Sequence, residues 1–175
     1  AFALFWFFHL RDPSQDLRFA AFFHANNVAF RRETIARFPF PEIPAYRGQC
    51  SVLGRTLRAN NIPIHVLMGA RVSHPCPLGV RYFVGRALNN GRDQVIVARI
   101  DSGGENPPWR SVYWNFSNSL QRTVAKIRRH GDELGLGPLS RIGALGVALT
   151  YFGLKAIGEL VTLKSTNAIQ RLFPI

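Results

Sequence analysis

Negative charge, lysine and cysteine are all scarce in this chain, and each scarcity narrows what the protein does. Ten acidic residues stand against 22 basic ones in 175 residues, giving a net charge of +12. None of the acids is set out as a pair for acid–base work. Two cysteines, Cys50 and Cys76, cannot make a disulfide framework, and reduced thiols are the simpler expectation. No run of five like charges occurs, which argues against a disordered basic arm. The basic charge is 19 Arg and only 3 Lys. Arginine is favoured where planar, two-pronged contacts to phosphate or carboxylate are wanted. The bias therefore suits RNA, anionic headgroups or acidic protein neighbours. It equally suits a GC-rich genome, which needs no function.

Motifs that carry chemistry are missing too. No P-loop, nucleophile elbow or paired histidine on a helix is present. The stretch Gly135-Leu-Gly137-Pro-Leu-Ser140 brushes against a dinucleotide pattern, but it follows no expected strand and its proline would spoil the phosphate turn. Cys50, His65, His74 and Cys76 are zinc-ligand types at spacings that match no finger. His74-Pro-Cys76-Pro reads as a proline-rich connector before it reads as a haem thiolate. Asn115-Phe-Ser117 is a glycosylation sequon that matters only in a secreted protein. The expectation is a non-enzyme with no catalytic residues, cofactor or metal.

What is present is apolar surface in unusual places. Ten of the 14 Phe fall in the first 40 residues. Residues 1–10 are almost wholly apolar, too short to span a bilayer as a helix, which needs about 20 residues. The chain starts at Ala1 without an initiator methionine. The opening run lacks a basic region before it, so it is expected to belong to the mature protein. Asp12 as cap, Pro13 and Gln15 then signal a helix that runs roughly through Phe38. Pro39, Pro41 and Pro44 exclude helix over 38–48.

Two strands are expected next, Ser51–Leu57 and Ile64–Val72, turning at Asn60–Pro63. Val80–Leu88 and Asp93–Ile100 flank Asn89-Asn90-Gly91-Arg92, and Asn-Gly between β-branched runs is the strongest short hairpin signal. In that register Leu88 faces Asp93, Val84 faces Val97 and Tyr82 faces Arg99. Trp109–Phe116 reads as a third strand. A helix over Ser119–His130 follows, with Leu120, Val124 and Ile127 as its buried stripe and Gly131 as its stop.

The longest apolar stretch lies between Arg141 and Lys164. Its 22 residues include only two charges, Lys155 and Glu159. A charge at mid-bilayer costs about 2.5–3.5 kcal/mol, but residues four apart share a helix face and can pair. Gly143, Gly146, Thr150 and Gly153 lie near one face and would allow close helix packing. The stretch is therefore expected to cross a membrane beside other helices, with Lys155 and Glu159 as an intramembrane pair.

The expected fold is α+β: a small antiparallel sheet with flanking helices, an N-terminal apolar arm and a C-terminal hydrophobic, transmembrane helix. Its parts are 1–48 (arm, helix and connector), 49–131 (basic domain) and 132–175 (hinge and hydrophobic helix). The basic charge centres on the middle part, where residues 49–100 carry seven Arg and one acid. Arg55, Arg58, Arg71, Arg81, Arg86, Arg92 and Arg99 form a candidate basic surface.

These features suit a non-catalytic accessory subunit of a multi-subunit membrane complex in the mitochondrial inner membrane, such as a respiratory complex or ATP synthase. Its partners would be other subunits and membrane lipid, including anionic lipid. The alternative is an organellar ribosomal protein with the arginines on RNA. A third reading is a soluble enzyme domain that buries the glycine-rich helix.

Overall fold

The computed structural model describes residues 17–20, 23–24, 28–45, 47–67 and 79–173. They fall into two compact units, one holding the described residues 17–67 and the other 79–173. The apolar arm and the signals at Asp12, Pro13 and Gln15 lie outside the described residues, as do Arg71, His74 and Cys76.

In the first unit, β1 (Leu17–Phe19), α1 (Arg32–Arg37), α2 (Gln49–Ala59) and β2 (His65–Leu67) follow one another. The two strands pair antiparallel for three residues, Leu17 opposite Leu67 and Phe19 opposite His65. This is a short ladder and not the expected sheet. Leu17–Phe19 was expected in a helix and is extended. Ser51–Leu57 was expected as a strand and lies inside α2. The reason is spacing: Cys50, Leu53 and Leu57 recur at three and four residues and turn one face inward. Leu53 and Leu57 are almost fully buried against Phe23, with Val28, Phe30 and Ile35 around them. Phe23, Phe30 and Phe40 meet edge to face, with centroids 5.2–6.2 Å apart. Asn60 and Asn61 end α2, Asn61 in the left-handed conformation with φ 56°.

The second unit is helical among its described residues. It contains α3 (Val80–Asp101), α4 (Arg110–His130), α5 (Pro138–Lys164) and the short α6 (Ala168–Leu172). The expected hairpin is one unbroken helix of 22 residues, and the expected strand Trp109–Phe116 is the first part of α4. The α+β expectation is thus overturned: among the described residues the chain is mostly helical, strand pairing is limited to the three-residue β1–β2 ladder, and the second unit packs helix on helix.

The cause is tertiary. Asn-Gly favours a turn only where the chain is free to reverse. Here α5 covers α3 and supplies the contacts that keep it helical. Ala87 of α3 packs with Ala148, Tyr151 and Phe152 of α5, and Phe83, Phe116, Leu120 and Leu154 close around them. A second cluster joins Ile127 of α4 to Ala144 of α5 beneath Leu134, Leu136 and Leu145.

The turn from α4 to α5 shows what its glycines are for. Gly131 stays right-handed, with φ −58°. A Cβ there would fall 2.8 Å from Arg141 Nε, so it is a position of close approach. The left-handed residue is Gly135, with φ 64°. Gly131 carbonyl oxygen accepts from Leu136 N at 2.8 Å and closes the turn.

Candidate functional site

Helix α5 is built inside out relative to a helix of a water-soluble surface. Pro at its first turn starts it, and Ser165 stops it in extended conformation. Its exposed positions between Leu139 and Leu160 are Leu139, Ser140, Ile142, Gly143, Gly146, Val147, Leu149, Thr150, Ile157 and Leu160. None is charged. The helix is long and apolar enough to cross a membrane, and only 33% of its apolar window is buried within the chain. A core helix would bury most of that window.

Both charges of the stretch face inward instead. Lys155 Nζ donates to Glu159 Oε1 at 2.8 Å, and Asn115 Nδ2 of α4 donates to Glu159 Oε2 at 3.0 Å. Both carboxylate oxygens thus have a donor. The side chains are only 15% and 2% exposed. Burying a charge is costly unless it is paired and hydrogen-bonded, and this one is both.

Next to this pair α3 and α5 cross at backbone distance. A Cβ on Gly91 would fall 2.7 Å from Glu159 N, and one on Gly158 would fall 2.9 Å from the carbonyl carbon of Leu88. Around the crossing lies a polar seam. Asn89 Nδ2 donates to Gly85 carbonyl oxygen at 2.9 Å, and Asn90 Nδ2 donates to the Tyr151 hydroxyl. Thr162 Oγ1 donates to Gly158 carbonyl oxygen at 2.7 Å. Arg92 and Asp93 form a buried pair at 2.9 Å, and Arg92 Nη2 also donates to Gln170 Oε1 of α6 at 3.0 Å.

Of the candidate basic surface, Arg92 and Arg99 are engaged inside the second unit. Arg92 is 4% exposed. Arg99 donates to Asn106 Oδ1 at 2.7 Å, Thr166 Oγ1 at 2.7 Å and Thr162 carbonyl oxygen at 3.0 Å, so it ties together the ends of two helices. Tyr82 does not face Arg99. It lies under Arg86 at 5.7 Å and accepts from Arg86 Nη1 at 2.6 Å, as residues four apart on a helix do. Arg81 is exposed on α3, whereas Arg55 and Arg58 belong to α2 in the other unit.

The expected packing face of α5 is open within the chain. Thr150 Oγ1 donates to Gly146 carbonyl oxygen at 3.0 Å. A Cβ on Gly143, Gly146 or Gly153 would meet no atom within 4 Å. These residues share the open stripe, and the close approach inside the chain uses Gly91 and Gly158 instead.

Asn115 and the Gly91–Gly158 crossing were missed in the sequence. Asn115 sat in an expected strand. The one available signal for Gly158 was its place on the face of Lys155 and Glu159. Among the described residues no group of three His, Cys, Asp or Glu could hold a metal. Cys50 is a free thiol, half-buried on α2. Comparison of the chain with protein-family models, with curated proteins and with solved structures finds no match to any of them.

Proposed function

We propose that this chain is a non-catalytic accessory subunit of a multi-subunit membrane complex, with α5 as its lipid-facing element. One observation carries the reading. From Leu139 to Leu160 every exposed residue of α5 is uncharged, while Lys155 and Glu159 are turned inward onto each other and onto Asn115. Ionisable residues at membrane depth face a protein interior and pair, which is the pattern here. An exposed apolar strip this long is a poor surface for a free monomer in water.

The finer part of the proposal is location, in the mitochondrial inner membrane as part of a respiratory complex or ATP synthase. Its support is compositional: 19 Arg among 22 basic residues, and one long apolar helix among the described residues. The RNA-binding alternative loses support, because Arg92 and Arg99 are spent on internal contacts.

The test is native fractionation of cells that express the tagged full chain. The expected result is recovery with membranes, and migration after mild detergent at a size far above 19.7 kDa together with defined neighbours. Recovery in the soluble fraction at monomer size would overturn the proposal, and so would co-sedimentation with ribosomes.

A further inference from the structure

We propose, building on that membrane reading, that α5 lies flat in an anionic lipid surface, its apolar stripe among the acyl chains and the exposed arginines of α4 at the phosphates. The antiparallel pairing of α4 with α5 decides between this pose and an upright one. Asn115 meets Glu159, Ile127 packs on Ala144, and Gly131 meets Arg141. Interpolated along that pairing, Arg122 stands level with Thr150, near the middle of the stripe. Arg128 and Arg129 stand level with Ala144 and Gly143. All three arginines are exposed.

An upright α5 would carry Arg122 to the middle of the hydrocarbon with no acid of its own unit beside it. A flat α5 avoids this, because α4 packs on its buried face through Ala144 and Glu159, away from the stripe, and keeps the arginines out of the hydrocarbon at headgroup depth. The stripe runs over 22 residues from Leu139 to Leu160, about 32 Å of helix, which makes a long edge to press into an interface.

Two further features fit the flat pose. Trp109, Tyr113 and Trp114 are 65–71% exposed at the start of α4, beside the C-terminal end of α5. Arg110 lies over Trp109 at 6.0 Å. Amphipathic rings beside a cation suit the headgroup layer. Residues 79–173 also carry 13 basic and 6 acidic side chains, which selects an anionic over a neutral surface.

The test uses the full chain with Cys50→Ser and Cys76→Ser, floated with vesicles of phosphatidylcholine alone or mixed with an anionic phospholipid. Single cysteines at Arg122→Cys or Leu149→Cys are then labelled with a membrane-impermeant maleimide. Flotation is expected with anionic vesicles only, weakening as salt rises. The triple variant Arg122→Gln/Arg128→Gln/Arg129→Gln should weaken it about a hundredfold. On vesicles the cysteine at 122 should react about tenfold faster than the one at 149. Equal flotation with neutral vesicles would overturn the anionic surface.

If both cysteines are shielded on vesicles, α5 stands upright, and the flat pose falls while the membrane reading survives. If position 149 is shielded without lipid, a second copy covers the stripe and the lipid assignment falls. If a chain with intact helical circular dichroism floats with neither vesicle, both readings fall.

Discussion

Gly91 of α3 and Gly158 of α5 stand at one crossing, each so near the other helix that a Cβ would overlap its backbone. The neighbouring polar seam exists because of that closeness. Asn90 reaches the Tyr151 hydroxyl, and Thr162 bonds back to Gly158 in place of a partner across the gap.

Gly91→Ala and Gly158→Ala should each be strongly destabilising. The obstacle is main chain, which cannot swing aside as a side chain can, so the helices must separate. Overpacking of a tight contact costs typically 1–3 kcal/mol, and a backbone clash belongs at or above the top of that range, about 3 kcal/mol. Denaturant unfolding of the purified chain in detergent, read by helical circular dichroism, measures it. Wild-type midpoints for both variants would show that the crossing is looser than described.

The same crossing explains what was legible in the sequence. The long apolar run of α5 announces a helix without help from the rest of the chain. So does the second half of α4, where Leu120, Val124 and Ile127 recur at helical spacing. Helix α3 hides. Residues 85–96 are buried almost all round, so no period separates helix from strand. Asn89-Asn90-Gly91 then read as a turn on local preference alone. In the fold the asparagines are hydrogen-bonded inside the unit, and the glycine is there for approach, to residues more than 60 positions later. The Lys155–Glu159 spacing is visible in sequence. Asn115 becomes part of their site only once Trp109–Phe116 is known to be helical.

Removing Lys155 should harm more than removing the pair. In Lys155→Met the Glu159 carboxylate remains buried with Asn115 alone. Breaking a buried pair from one side costs about 3–5 kcal/mol, whereas replacing both partners by apolar groups is often neutral. The double variant Lys155→Met/Glu159→Leu should therefore recover most of the loss. It leaves Asn115 without its acceptor, and the added change Asn115→Leu should recover more. A double variant no better than the single would mean that the charges serve something other than each other. The assay is the unfolding midpoint of the three proteins.

Arg99 acts as a clasp, and its loss should be local. Arg99→Ala removes bonds to Asn106, Thr162 and Thr166 together. Hydrogen bonds from a charged donor are worth about 1.5–3 kcal/mol. Arg99→Lys should rescue only part, since an ammonium cannot span three acceptors held in a fork. Hydrogen exchange should quicken in residues 102–108 and 164–168 while the Ala87–Tyr151 cluster stays protected. Uniform loss of protection would place Arg99 in the global core instead.

The open glycines of α5 should answer in the opposite sense to the crossing glycines. A Cβ at Gly143, Gly146 or Gly153 meets nothing. Each change to alanine removes backbone freedom from the unfolded chain and should stabilise the helix by about 0.5–1 kcal/mol in the purified protein. If the stripe rests in lipid, Gly146→Leu and Gly153→Leu add apolar area to the buried face. Each buried carbon contributes about 0.8 kcal/mol and leucine adds four, so each change should tighten binding to anionic vesicles about a hundredfold. If a neighbouring helix sat in that groove, the same leucines would hold it off. Membrane binding would then be unchanged while the yield of the assembled complex fell. Vesicle flotation and complex recovery, run on the same two variants, read out which surface the glycines touch.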